Sequence, residues 1–303
     1  ECLVGSEMCI RDRMKIFSFM NQKGGVGKSA SVATIGAILS DVFNKRTLLI
    51  DVDPQGNTSN QFSKVDYYSL FRSILSGRKI GEELSIEDFF IDSSLDIRDG
   101  IIHTKYKNLD IIPTYQTLAE VEERLKADVR TPQQFRLKHH LDKLQEEYDF
   151  CLIDCSPSIN LLNINALVAS DEVFIPTKSD GNSLVGIAIS LNLIRTVQSY
   201  NPGLEIGGCF FTQCDPRTNV MKRTREFLDE ELPGLRLPYE IGKTVKLEEN
   251  SYQQETLLAL DKKQKLGVTQ AYVALTEYIQ SNDREACEKK YLKKLEKQQK
   301  MKK

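Results

Sequence analysis

Residues 17–29 read FSFMNQKGGVGKS, and the fold class follows from them. The hydrophobic run Ile16–Met20 has strand length and ends in a turn that holds Gly24, Gly25 and Gly27. The segment that leaves the turn, Ser29–Phe43, carries apolar residues at helical spacing. Strand, glycine loop and helix in that order make a cradle for phosphate. The glycines let backbone N–H groups curl around anionic oxygens, and the helix N-terminus adds the positive end of its dipole. Lys28 is placed to reach β- and γ-phosphates, and the Ser29 hydroxyl to ligate Mg²⁺. A glycine turn with stray lysines is the bland alternative, and the ordered strand and helix on either side argue against it.

The general phosphate-loop pattern G-x-x-x-x-G-K-[ST] is not met, because its first glycine would fall at Gln22. What distinguishes the loop is Lys23, which gives the form KGGxGK[ST]. The segment expected to wrap a nucleotide is therefore Lys23, Gly24, Gly25, Val26, Gly27, Lys28, Ser29 and Ala30.

Downstream, strand-length apolar runs alternate with helical patterns to about Gln280. Thr47–Ile50 leads into Asp51 and Asp53, followed by Pro54 and Gly56. Leu109–Ile112 is stopped by Pro113, and Phe150–Ile153 ends in Asp154. That last pattern is a strand carrying an acid that holds Mg²⁺ through a water. Val173–Ile175 and Ile206–Phe211 continue the series. Helices are expected at Tyr67–Leu75, with a break at Gly77, and from a Thr131 cap with Pro132 at the first helical position to about Glu147. Buried strands with helices between them predict an α/β fold: a mostly parallel twisted sheet with helices on both faces.

Bulk properties narrow the function. The chain has 303 residues with 41 basic and 43 acidic side chains, a net charge of −2, which argues against a constitutive charge-driven nucleic-acid binder. A local basic patch remains compatible with it. No stretch approaches the roughly 18 apolar residues of a spanning helix. Cys151/Cys155 and Cys209/Cys214 lack metal-ligand spacing and read as free buried thiols of a reducing compartment. Residues 1–13 fit nothing that follows and are expected to be an artefactual leader, with Met14 the natural start; residues 14–280 form a single domain. Residues 281–303 are a Lys-rich extension, read as a solvated helix or frayed tail, or as a contact with an anionic surface.

The lysine-first loop resembles that of the ParA/MinD group of deviant-Walker ATPases, and the likeness covers nearly all of Met14–Gln280. It implies ATP and Mg²⁺ as cofactors and an ATP-state homodimer in which Lys23 reaches the partner subunit's nucleotide as an arginine finger does. Residues 48–57 resemble the family's switch segment. Asp53 is then the residue that positions the attacking water, and Asp51 either organises Mg²⁺ through its waters or only caps the turn. Lys23, Lys28 and Asp53 would be catalytic; Ser29, Asp53, Asp51 and Asp154 would serve the metal. Residues 176–186, 210–219 and 241–250 resemble the segments that flank the adenine and carry DNA-facing basic residues. Two departures stand out: Ser29-Ala30 replaces the common Thr-Thr, and Lys246 stands where Arg is frequent, which keeps charge but loses bidentate phosphate geometry.

Among functions, the resemblance favours partitioning of chromosome or plasmid, or positioning of cargo. The protein would be cytoplasmic and nucleoid-associated, slow in turnover until a ParB-like partner triggers it. Arg217, Lys222, Arg223 and Lys246 are the candidate contacts to nonspecific DNA, and the alternative is that they are solvated charges paired with Glu226 and Asp229. The absence of an N-terminal helix-turn-helix pattern favours the short type. A membrane-cycling regulator like MinD is the alternative function, but Tyr291, Leu292 and Leu295 make a poor membrane face. An electron-transfer ATPase lacks its cysteine segments here, and a non-catalytic scaffold would not need Lys23, Lys28, Asp53 and Asp154.

Overall fold

The computed structural model describes residues 13–76, 84–115, 118–128 and 132–301. Strands β1 (Lys15–Phe19), β2 (Thr47–Asp51), β3 (Ile102–His103), β4 (Leu109–Ile112), β5 (Phe150–Asp154), β6 (Glu172–Thr177), β7 (Glu205–Cys214) and β8 (Arg236–Gly242) make one sheet. Its order is β3-β4-β2-β5-β1-β6-β7-β8. Every neighbouring pair is parallel except β3 with β4. The first helices are α1 (Lys28–Asp41), α2 (Asn57–Phe62), α3 (Tyr67–Leu75), α4 (Ile86–Ile91), α5 (Leu118–Ala127), α6 (Arg136–Leu141) and α7 (Leu161–Ala169). They are followed by α8 (Gly181–Val197), α9 (Asn219–Glu231), α10 (Lys246–Gln253), α11 (Leu257–Leu260), α12 (Gly267–Gln280) and α13 (Arg284–Met301).

Strand alternation divides the interior into two cores, one on each face. Leu48, Ile50, Ile153 and Val173 point into a core closed by α4 to α9. Their chain neighbours Leu49, Leu152 and Phe174 point the other way, against α1, α11 and α12. Both sheet faces are thus covered, which is why β2 and β5 are buried at every position. At the centre Phe174 stacks on Phe19 and meets Phe17 edge-on, with ring centroids 5.7 and 5.6 Å apart, so a Phe174→Ala change would cost about 3–5 kcal/mol.

The segment expected to be one helix to Glu147 is continuously helical from Gln133 to Leu144, as a 3₁₀ turn at Gln133–Phe135, α6, and a second 3₁₀ turn at Asp142–Leu144. The Leu137 N–H donates to the side chain of Asn165 (3.2 Å), which competes with helical bonding at that point. The expected cap Thr131 and the break at Gly77 lie outside the described residues. β8 alternates buried Leu237, Tyr239 and Ile241 with half-buried positions. It contains Pro238, which a sheet tolerates at an edge, and β8 is an edge strand.

The Lys-rich extension is helical, and its first half is fixed to the domain. Arg284 pairs with Glu172 at the start of β6 (2.7 Å), and the Tyr291 ring lies 4.8 Å from that of Tyr239 on β8. The four cysteines of β5 and β7 and their flanks are buried free thiols; burial pushes Cys155 and Cys209 up to about 12 and Cys214 to about 11.

Candidate functional site

The parallel strands β1, β2 and β5 end side by side, and their C-terminal ends carry the chemistry. Phe19 pairs in register with Asp154, and Asp154 with Asp51, so two carboxylates sit on adjacent strands below the glycine loop. The loop turns because Gly25 and Gly27 take φ of +71° and +79°, where a side chain would be strained. Gly27 then caps α1, whose free N–H groups face the loop's interior.

Lys28 is 5% exposed, and its ammonium donates to the carbonyl oxygens of Asn21 and Lys23, each at 3.3 Å. Burial lowers its pKa, and the nearby Asp154 and Asp53 oppose that shift. The result is a lysine held at the mouth of the cradle by weak carbonyl bonds that a stronger anion could replace. The cradle itself is braced from β7. The Thr212 hydroxyl is within donating reach of Val26 O (2.7 Å) and Thr177 O (3.1 Å), and Gln213 donates to Gly25 O (3.3 Å).

The acids are unequal. Asp51 is fully buried; its Oδ1 accepts from Asp53 N (3.1 Å), and its Oδ2 accepts from both the backbone and hydroxyl of Ser59 (2.8 Å each). Those bonds belong to the turn-capping alternative. Burial, then the charge of Asp154, raises its pKa well above the carboxylate range. Asp53 is 6% exposed and accepts only from Gln55 N (3.0 Å) among the described residues, so part of its carboxylate is unused. Asp154 accepts the Thr58 hydroxyl on Oδ2 (2.7 Å), while its buried Oδ1 has no bond of normal hydrogen-bond geometry. Burial lifts its pKa to about 6, against the lowering influence of the Ser29 and Thr58 hydroxyls.

An orphaned carboxylate oxygen beside a loop hydroxyl fits a divalent ion. Among the described residues no three His, Cys, Asp or Glu side chains converge as a cage. Mg²⁺ does not need one, because it keeps waters and takes substrate phosphate oxygens. Ser29 and Asp154 are the side chains that could hold it.

At the rim, Lys23 points away from Lys28 and pairs with Asp180 (2.5 Å), the residue that caps α8. α8 approaches closely there: a Cβ on Gly186 would lie 2.4 Å from the Asn21 side chain and 3.3 Å from Lys23. Beside Gly27 and Ala30 opens a cavity of about 390 Å³, lined also by Thr212, Gln213, Thr244 and Tyr272. Its residues come from five separate elements and the loops between them, so no local motif announces it. The family likeness of residues 210–219 and 241–250 is the available signal, and Tyr272 has none.

The switch segment is tied to the far end of the chain. The Ser59 hydroxyl accepts from Thr114 N (2.9 Å). Gln254, at φ +53°, donates to Asn60 O (2.8 Å) and Val65 O (2.9 Å), and Gln61 donates to Glu255 O (2.9 Å). The segment after Asp53 is thereby bonded to the residues that follow α10.

The candidate DNA residues Arg217, Lys222 and Arg223 are exposed and Lys246 is half-buried, and most are matched by acids. Arg217 pairs with Asp215 (2.8 Å), Lys222 with Glu226 (3.9 Å) and Lys246 with Glu249 (2.5 Å). No ion pair to Arg223 is found among the described residues. Arg225, on the same helix, is turned inward to Glu240 (2.6 Å), and Asp229 pairs with Arg236 rather than with these groups (2.7 Å). Thr218 caps α9 by accepting from Met221 N (3.3 Å).

A mostly parallel sheet with a glycine loop between β1 and α1, and acids at the ends of its neighbours, defines a P-loop nucleotide-binding protein of the lysine-first kind. A family model described as an AAA domain matches residues 14–206. The sporulation initiation inhibitor protein Soj of Bacillus subtilis is 39% identical over 207 residues, 68% of this chain and 75% of that protein. The chromosome-partitioning ATPase Soj of Treponema pallidum is 36% identical, over 68% of this chain and 74% of its own. A plasmid partition protein of Borrelia burgdorferi, solved with AMPPNP, superposes with a TM-score of 0.69 at 26% identity, over 87% of this chain and 98% of that one. The chain belongs to the ParA/Soj family of partition ATPases.

Proposed function

We propose that the protein is a Mg-ATP-dependent ATPase that dimerises in the ATP state, binds duplex DNA without sequence preference and drives partitioning of chromosome, plasmid or other cargo. A ParB-like partner triggers hydrolysis, and turnover is slow without it. The observation that supports this best is the convergence of buried Lys28, Ser29 and the half-satisfied Asp154 behind a loop whose rim bears Lys23.

Bound there, Mg-ATP supplies the scissile phosphoanhydride and the metal charge that neutralises it. Lys28 leaves the carbonyls of Asn21 and Lys23 for the β/γ-phosphates, and α1 turns its free N–H groups to the same anion. Ser29 and, through water, Asp154 hold the metal. Asp53 uses its free oxygen to orient the attacking water. Asp51 acts through the turn, keeping Asp53 and Ser59 in place. The cavity beside Gly27 takes the base. Lys23 exchanges Asp180 for the nucleotide of the partner subunit, where its charge stabilises the transferring phosphoryl group. DNA binding places the protein on the nucleoid in the cytoplasm.

Light scattering with Mg-ATP tests this reading. The wild type is expected to dimerise, and Lys23→Ala to bind a fluorescent ATP analogue normally while remaining monomeric. A normal ATP dimer from Lys23→Ala would remove the lysine's role across the interface. Failure of the wild type to bind the analogue would remove the whole reading.

A further inference from the structure

Helix α13 has three faces, and each has different chemistry. Arg284, Cys287, Tyr291 and Leu295 lie along the side that meets the domain, with Arg284 on Glu172 and Tyr291 on Tyr239. Glu285, Lys289 and Glu296 lie on a second side and are exposed, with Lys289 paired to Glu285. Lys290, Lys293, Lys294 and Lys297 follow the spacing i, i+3, i+4, i+7, which places four exposed lysines on one face. Lys290 pairs with Glu277 (2.6 Å), but no carboxylate pairs with Lys293, Lys294 or Lys297 among the described residues.

The helix also has a direction. It starts beside Glu172, at the beginning of β6, passes the middle of β8 at Tyr239, and then borders a groove of about 800 Å³. Lys294 and Leu295 form one wall of that groove; Cys214, Pro216 and Gly242, at the ends of β7 and β8, form the other. The lysines therefore rise towards the phosphate end of the sheet, on the side where the β7–α9 loop carries Arg217. On α9 and α10 and the loop before them, Arg217, Lys222 and Lys246 each face an acid of their own chain. On α13 beyond Tyr291 the chain has lysines at 293, 294, 297, 300, 302 and 303 against the single acid Glu296.

We propose that the Lys290–Lys297 face of α13 is a binding surface for the phosphate backbone of nucleic acid, and that it supplies more of the duplex contact than the α9 face does. This rests on the reading of the chain as a DNA-binding ATPase. The four lysines span about 10 Å of helix, the axial rise of about three nucleotides of one strand. Lysine ammonium groups are point charges that suit backbone contact without base readout. A lipid surface is the other polyanion to consider. The tail's apolar side chains are largely committed, however: Tyr291 is packed on Tyr239 and Leu292 and Leu295 both line the groove, and among the tail residues whose side chains are described Leu292, 46% exposed, is the most exposed large apolar group.

The test is fluorescence anisotropy of two unrelated duplexes with Mg-ATP across a salt series, comparing the full chain with the quadruple variant K290Q/K293Q/K294Q/K297Q. The variant is expected to keep ATP turnover and the ATP dimer and to lose about tenfold or more in duplex affinity. Its salt dependence should be shallower by about 0.9 for every phosphate that the missing lysines had neutralised. Equal affinity and equal slope would overturn the surface while leaving the DNA-binding reading intact. Wild-type protein that ignores duplex with ATP would overturn both. Phosphatidylserine-containing vesicles form a second arm: lysine-dependent binding to them, with duplex binding unchanged in the variant, would reassign α13 to membrane and overturn the proposal.

Discussion

At the phosphate end of the sheet, Lys28, Asp53 and Asp154 are at most 6% exposed, and each retains bonding capacity that its own chain does not fill. On the outer face of α9 and the loop before it, the Arg217 and Lys222 side chains are 87% and 73% exposed, and each is already matched to an acid. Burial makes an unfilled carboxylate expensive, so one that persists among close-packed strands implies something else to bind. An exposed ion pair is worth little and can be exchanged for another anion at small cost. The same density of charge thus identifies a ligand in the first region and leaves the second undecided.

Removing the buried lysine is the strongest way to break this contrast. Lys28→Ala is expected to stay folded and lose about a thousandfold in affinity for a fluorescent ATP analogue, or about 4 kcal/mol. Near-wild-type affinity would remove the phosphate-loop assignment.

A buried titratable group far from the loop sharpens it. His140 is fully buried against Phe89, and burial, with Lys143 and His139 nearby, lowers its pKa to about 4 from 6.5. Because the folded value is depressed, its contribution is complete above 6.5 and is lost as pH falls towards 4, where the unfolded chain binds a proton that the folded one does not. The expected loss is about 3 kcal/mol in denaturant titrations, and His140→Gln should flatten that pH dependence. An unchanged slope in the variant would place the acid sensitivity elsewhere.

Asp53→Ala separates binding from chemistry. It is expected to form an ATP-bound dimer by light scattering and to lose on the order of a hundredfold in phosphate release. Unchanged turnover would move the water-orienting role to Asp51. The smallest effects belong to the exposed region. Arg217→Glu, Arg223→Glu and Lys246→Glu are each expected to weaken ATP-dependent duplex binding several-fold in gel shifts, more at low salt. Arg223 should matter most of the three, because among the described residues it has no carboxylate to release. A hundredfold loss in any one of them would show that surface charge here is as decisive as buried charge.

How much the sequence reveals divides along the same line. Glycines at 25 and 27, acids closing the apolar strands β2 and β5, and Pro113 stopping β4 are local requirements, so these strands and the loop are legible to within a residue. β8 escapes a sequence reading because Pro238 argues against a strand although the alternation runs through it, and β3 because it has only Ile102 and His103. The helix expected to reach Glu147 ends at Leu144 with its first and last turns tightened to 3₁₀, and the Asn165 side chain that takes the Leu137 N–H comes from another element. Whether Arg225 faces solvent or Glu240 depends on a strand fifteen residues away, and no spacing rule encodes that. The cavity beside Gly27 is illegible for the same reason, since Tyr272 reaches it from α12.

One set of bonds has a mechanical consequence. Gln254 and Gln61 stitch the turn that follows Asp53 to the peptide that follows α10. A shift of that turn by even an ångström must carry α10 with it or break three hydrogen bonds together. The two segments are therefore coupled mechanically, with Asp53 at the near end of one and Lys246 at the far end of the other.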